Sequence, residues 1–470
     1  MPKLPKKITI LFLVFIFIMF SGFGCKCTPK SVQEAMKPVT LNYWRVWDDS
    51  DAFSEIISKY KEQHPFVTIN YKKLRYEEFE QELIEAFAED RGPDIFSIHN
   101  TWMEKYESKS FIAPMPDQIT MVYPIIQGSI KKEVVPEKRT YNSITIKQLK
   151  KDYIDVVPGD VILKTQNPKT KKTEERIFGL PLSVDTLVML YNKDLFNNAG
   201  IINPPEFWNK EFQQNVKKLT KQNSKGQIIQ SGVGLGGGEN ITRSTDILST
   251  LMMQNGTDML SNGRVLFHAT PVGFKDANVV PGLDALRFYT DFANPAKEVY
   301  CWNNTLENSL DMFIHEKLAI MFGYSYMLPQ IKAENPKLNF AIAKLPQIEY
   351  NPSVNFANYW VEVASNKGKN INEAWDFIQF IAKEEQADSY LKKTKKPTAL
   401  RSLVEKQIED EEMSAFADQL LTARSWYKGN NANSAEAIMV EMIEKVNSGE
   451  DGIDNIIANG AKKVQQTINE

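Results

Sequence analysis

Apolar positions along the first hundred residues switch between two periods, and the switching describes a fold. Residues 39–44 (VTLNYW) put apolar groups at every second position, as a half-buried strand requires. Phe53, Ile56, Ile57 and Tyr60 then recur at helical spacing until His64-Pro65 stops them, with Asp49, Ser50 or Asp51 available as the cap. Val67, Ile69 and Tyr71 return to period two. Phe79, Leu83 and Phe87 repeat every four residues up to Gly92-Pro93, and residues 94–98 (DIFSI) read as a third strand. Strand–helix–strand–helix–strand implies a parallel sheet with helices on both faces. In such sheets ligands bind beyond the carboxyl ends of the strands. Trp47, Asp48 and Asp49 follow the first strand, and His99, Asn100 and Trp102 follow the third. Asp49 reads better as a helix cap than as a ligand contact.

Residues 123–178 break this rhythm with lysine-rich polar stretches and a hairpin tip at Asn167-Pro168-Lys169-Thr170, and read as a surface elaboration. Residues 179–200, GLPLSVDTLVMLYNKDLFNNAG, restore order. Gly179 and Pro181 end what precedes, Leu187 to Tyr191 suits a strand buried on both faces, and Asn192 can cap a helical turn that stops at Gly200. Asp185 stands just before that strand, either capping a backbone amide or facing a ligand. Residues 246–254, 285–292 and 309–315 read as helices, 318–328 (LAIMFGYSYML) as strand, glycine turn and helix, and 340–346 and 361–364 as strands. Asn370 and Glu373 make a capping-box pair ahead of the helical face Ala374, Phe377, Ile378 and Ile381. Two more helices carry Ile438, Met442, Ile443 and Val446, then Ile453, Ile456, Ile457 and Val464.

The 470 residues suggest two or three domains, and the composition is that of a soluble globular protein, 42% hydrophobic and 24% charged. A formal net charge of −3 lacks the basic footprint of nucleic-acid binding. Residues 1–24 read as an export signal: Lys3, Lys6 and Lys7, then an apolar run over 8–20, then small residues up to Gly24. Cys25 follows as in a bacterial lipobox, with Gly22 where leucine is usual. A lipid on Cys25, with residues 25–38 as a tether, would hold the protein on the outer face of the cytoplasmic membrane. Three cysteines make no disulfide framework, and the four scattered histidines call for neither metal nor cofactor. Gly232, Gly234 and Gly237 spell G-x-G-x-x-G, but the acidic residue at the right distance, Asp258, follows a helix end rather than a strand. A glycine-rich strand close to a ligand cleft is the better reading, with Glu239, Asn240 and Arg243 beside it as contacts.

Several of these segments resemble the family 1 extracellular solute-binding proteins, the maltose-binding-protein-like, carbohydrate-binding subunits of bacterial ABC importers. GPDIFSIHNTW, the 179–200 stretch, QNGTDML, LAIMFGYSYM, residues 370–381 and PTALRS each match a family segment, in the family's order, over most of the chain from Val39 onward. The resemblance implies an α/β, two-lobed periplasmic-binding-protein-like (type II) fold, each lobe a sheet flanked by helices, with a ligand cleft that closes by hinge motion. The N-terminal lobe is then expected over 39–183 plus 323–344, and the C-terminal lobe over 184–322 plus 345–470. It further implies a monomer that binds a sugar or oligosaccharide for an ABC permease and catalyses nothing. Aromatic rings can stack on the C–H faces of a sugar while polar groups hold its hydroxyls. The candidate contacts are Trp47, Asp48, Asn100, Trp102, Asp185, Asn240, Arg243, Tyr324, Tyr326, Asn358, Trp360 and Arg401. Two rivals stand beside this reading. One is a secreted glycoside hydrolase using Asp185 with Asp48; the other is a surface lipoprotein on the same scaffold that binds a peptide or other solute.

Overall fold

The computed structural model describes residues 37–127, 133–167, 170–274, 276 and 278–469, so the expected signal peptide and Cys25 lie outside the described residues. Val39–Val46 pairs in parallel with Val67–Leu74 on one side, Tyr43 opposite Tyr71, and with Ile95–His99 on the other. The helices Asp51–Gln63 and Tyr76–Ala88 bury Phe53, Ile56 and Tyr60, and Phe79, Leu83 and Phe87, most of the residues whose spacing predicts them. Each such buried side chain stabilises the fold by about 1.5–3 kcal/mol.

A fourth strand, Trp360–Ala364, joins this sheet antiparallel to Ile95–His99, with Trp360 opposite His99. The sequence reading puts that strand in the other lobe; side-chain pairing puts it here. Glu362 is fully buried and takes Arg45 Nη2 at 3.1 Å and the Tyr43 hydroxyl at 2.7 Å, both from the first strand. The helix that follows, Ile371–Ile381, packs on the same body, where Asp376 accepts from the Tyr60 hydroxyl at 2.6 Å. Conversely, Phe340–Ala343 pairs with Val188–Asn192, which also pairs with Ile320–Gly323, so this three-stranded antiparallel sheet belongs to the second lobe. The expected boundaries at 323–344 and 345–470 therefore differ from the observed pairing.

Asn192 caps the helix Lys193–Asn198 as expected, its Oδ1 accepting from the amides of Asp194 and Leu195. The capping box at Asn370 does not form: its side chain makes no hydrogen bond to the first turn of the helix Ile371–Ile381. The 123–178 elaboration contains two hairpins, Gln118–Gln127 with Glu133–Asn142 and Ile162–Gln166 with Thr173–Ile177. At the tip of the second, the Thr170 amide donates to Asn167 Oδ1. The first hairpin leans on the first lobe, with Tyr123 against His64 and the Tyr141 hydroxyl donating to Asp376.

A third sheet joins the lobes. Asn355–Asn358 runs parallel to Ala423–Arg424 and antiparallel to Asp185–Thr186, so Asp185 and Asn358 face each other across one pair. No described helix is long and apolar enough to cross a membrane.

Candidate functional site

A cavity of about 190 Å³ lies between the lobes. The first sheet supplies one wall, because three parallel strands end at this edge and the antiparallel one begins there. Arg45 and Trp47 come from the end of the first strand and Tyr76 from the start of the helix after the second. His99, Thr101 and Trp102 follow the third, and Tyr359 and Trp360 open the fourth. The opposite wall is Arg243, at the head of the helix Ser244–Gln254, with Ala432, Asn433 and Glu436 from the first turns of the helix Ala432–Ser448. Ser183, Asp185, Tyr326, Asn358 and Lys396 come from the segments that cross between lobes.

The first wall is aromatic. Trp47 is 48% exposed and has a left-handed backbone, φ +69°. That conformation costs an L-residue about 1–2 kcal/mol, and here it turns the indole out of the first strand toward the cavity. Its ring lies nearly parallel to Tyr76 (5.4 Å between centroids) and to Tyr326 (6.1 Å), and Tyr326 in turn stacks on Tyr324 at 5.8 Å. Trp360 meets Tyr76, His99 and Trp102 edge-on at 6.2, 5.9 and 5.7 Å. Such contacts hold each ring in place, so the wall is preformed.

Asp185 is held by the chain around it. Its Oδ1 accepts from the Thr186 amide at 2.9 Å, and its Oδ2 from the Ser325 amide at 2.9 Å and the Ser325 hydroxyl at 2.6 Å. One carboxylate thus staples two crossing segments together while lining the cavity. Burial pushes its pKa up to about 7, against those hydrogen bonds and the charge of Lys396. His99 donates from Nε2 to Asn358 Oδ1 at 3.2 Å, while its Nδ1 accepts from the Thr101 hydroxyl at 2.7 Å. Burial, helped by the Arg243 charge, pushes the imidazole down to about 4 and keeps it neutral at pH 7. Arg243 also has a left-handed backbone. Its guanidinium grips Asp246 with two bonds, 2.8 and 2.9 Å, and reaches Glu436 at 3.1 Å.

Of the twelve residues singled out by sequence, the structure brings seven to the cavity wall: Trp47, Trp102, Asp185, Arg243, Tyr326, Asn358 and Trp360. The other five are engaged elsewhere. Asp48 is buried in a network with Arg45 (3.2 Å), Lys396 (2.6 Å) and the Tyr390 hydroxyl (2.9 Å). Against the burial that would raise it, Arg45 and Lys396 hold its carboxyl below the usual range. Asn100 donates to the buried Asp160. Asn240 is saturated, donating to the carbonyls of Asn303 and Leu306 and accepting from Trp302 Nε1. Tyr324 is fully buried and donates to Asp246 at 2.7 Å. Arg401 pairs with Asp155, away from the cavity. The glycine-rich segment lies off the wall as well; at Gly236, φ +103°, a Cβ would come within 2.6 Å of the Ala293 backbone, so these glycines serve close packing inside the second lobe. Tyr76 was within reach of sequence reasoning, since it follows the second parallel strand just as Trp47 follows the first. Lys396 and Glu436 carried no local signal.

Fold and cavity together define a two-lobed α/β binding protein with a candidate site between the lobes. The profile of the bacterial extracellular solute-binding protein family matches residues 47–388, and the chain belongs to that family. It is 23% identical over 337 residues to a binding protein of Brucella abortus, spanning 70% of this chain and 68% of the relative. It is 21% identical over 329 residues to the galactooligosaccharide-binding protein of Bacillus subtilis, spanning 69% of this chain and 70% of that one. In structure it is similar to the cyclic α-maltosyl-1,6-maltose-binding protein of Arthrobacter globiformis. The TM-score is 0.69 at 18% identity, over 92% of this chain and 99% of the other.

Proposed function

We propose that this protein captures a carbohydrate in the interlobe cavity and delivers it to the membrane permease of an ABC importer. The observation that carries the reading is the preformed aromatic wall, Trp47, Tyr76, Trp102 and Trp360, faced across a small cavity by Asp185, Asn358 and Arg243. Rings suit the C–H faces of a sugar, and fixed polar groups suit its hydroxyls. Family membership and the sugar-named relatives support the same conclusion. In this reading Trp47, Tyr326 and Trp360 stack on the ligand. Asp185 has room for one further donor, since a carboxylate offers about four acceptor positions and three are filled.

The hydrolase reading loses its second carboxylate, because Asp48 is locked between Arg45 and Lys396 behind the wall. A thermal-shift screen against neutral mono- and oligosaccharides, amino acids and peptides tests the proposal, since a ligand that binds only the native state raises the melting temperature with its concentration. Response to peptides alone, or release of reducing ends from polysaccharides, would replace it. The protein acts as a monomer, anchored through a lipid on Cys25. Metabolic fatty-acid labelling should disappear in Cys25→Ser and persist in Cys27→Ser.

A further inference from the structure

Beside the ligand cavity, donors from both lobes converge on one carboxylate. Asp160 is 2% exposed and sits on the short helix Val156–Val161 of the first lobe. On its own side it accepts from Asn100 Nδ2 at 2.9 Å and from the Tyr359 hydroxyl at 2.6 Å. From across the seam, the Ser425 hydroxyl lies 2.6 Å from Oδ1 and 2.9 Å from Oδ2. Lys428 Nζ pairs with Oδ1 and also donates to the Gly159 carbonyl at 2.9 Å. Ser425 and Lys428 are held to the second lobe by the residues between them. Trp426 Nε1 donates to Ser249 on the helix Ser244–Gln254, and the Tyr427 hydroxyl donates to the Thr467 carbonyl on the helix Ile453–Asn469.

We infer that Asp160 is an interlobe clasp, a positioning residue that holds the second lobe down over the cavity. A buried carboxylate that loses its cation is strongly penalised, whereas a solvated one is not. Removing Lys428 therefore acts against the closed arrangement and leaves an open one, in which water reaches Asp160, almost untouched. The clasp adjoins the ligand wall directly, because Tyr359 lines the cavity and donates to Asp160. Ser425 follows the crossing strand Ala423–Arg424, so it sits where a hinge rotation moves it away from the first lobe. None of this depends on which solute the cleft takes.

The test is small-angle scattering and amide hydrogen exchange on the ligand-free full chain, with variants at the seam and away from it. Lys428→Met and Ser425→Ala remove only second-lobe donors. Each should raise the radius of gyration and speed exchange in residues 425–431 by about tenfold or more, with little change in melting temperature, and Lys428→Arg should restore the parent values. Lys463→Met removes an ion pair, 2.7 Å to Glu441, that joins two second-lobe helices, and should leave the radius of gyration unchanged. Parent-like scattering in both Lys428→Met and Ser425→Ala would overturn the clasp. Equal opening in Lys463→Met would also overturn it, by showing that loss of any ion pair on the second lobe expands the chain.

Discussion

The two walls of the cleft are built from opposite chemistry. The first-lobe wall is mainly rings and a neutral imidazole, held edge-to-face and stacked against one another and rooted in the core through Trp102, 5% exposed. Arg45 stands at its back, already paired with Asp48 and Glu362. The second-lobe wall is ionic, with Arg243 between Asp246 and Glu436. Rings locked in place can receive an apolar sugar face without further ordering, so the first wall is suited to supply affinity. Charges that already neutralise each other gain little from a neutral ligand, and the second wall is suited to orientation and exclusion. Asp185 belongs to neither wall and stands at the joint between them.

Breaking the joint should have the largest effect. Asp185→Asn turns one acceptor into a donor that must face the amide of either Thr186 or Ser325, so both the hinge and the ligand contact suffer. Affinity should fall by about 1.5–3 kcal/mol, and melting of the ligand-free protein should fall as well. Ser325→Ala, which removes one hydroxyl donor and spares the ligand's side of the carboxylate, should lower affinity far less. Calorimetry beside melting curves separates the two.

Trp47→Gly tests the aromatic wall alone. Glycine adopts a φ of +69° without strain, so the melting temperature should hold or rise while the dissociation constant increases about tenfold or more. A fall in melting with unchanged affinity would make Trp47 a packing residue and remove the contrast between the walls.

The pH dependence sharpens the role of the joint. Asp185 titrates near 7 in the fold and near 3.8 in a free chain, so the native state binds the extra proton in that interval. Its contribution to stability is complete below about 3.8 and is lost as pH rises through 7, whereas His99, depressed to about 4, adds stability as pH rises to about 6.5. The Asp185 contribution is therefore read as the parent's melting relative to Asp185→Asn, which should decline from pH 5 to 8. A ligand hydroxyl prefers the ionised form, so affinity should climb severalfold over the same interval. The affinity slope should vanish in Asp185→Asn. The smallest effect belongs to Glu436→Gln, because Arg243 keeps its two bonds to Asp246 and the lost pair is half exposed. A change in affinity of threefold or less is expected by calorimetry.

Residue order by itself determined the elements and one edge. The spacing of Phe53, Ile56 and Tyr60, and of Phe79, Leu83 and Phe87, names helices because burial on one face requires a period near 3.6, and strands announce themselves by period two. Strand order then places Trp47 and Trp102 at the sheet edge where ligands bind. Tertiary structure decided which sheet each later strand joins. Phe340–Ala343 and Trp360–Ala364 look alike as short apolar runs, and only Glu362, buried against Arg45 and Tyr43 of the first strand, commits the latter to the first lobe. It also decided that Asp48 pairs with Lys396, 348 residues away, rather than facing ligand, and that Glu436 and Lys428 come to the cleft at all. Local periodicity records burial, which any neighbouring surface can satisfy. The partner of a buried charge is chosen by geometry across hundreds of residues, and no short stretch of sequence carries it.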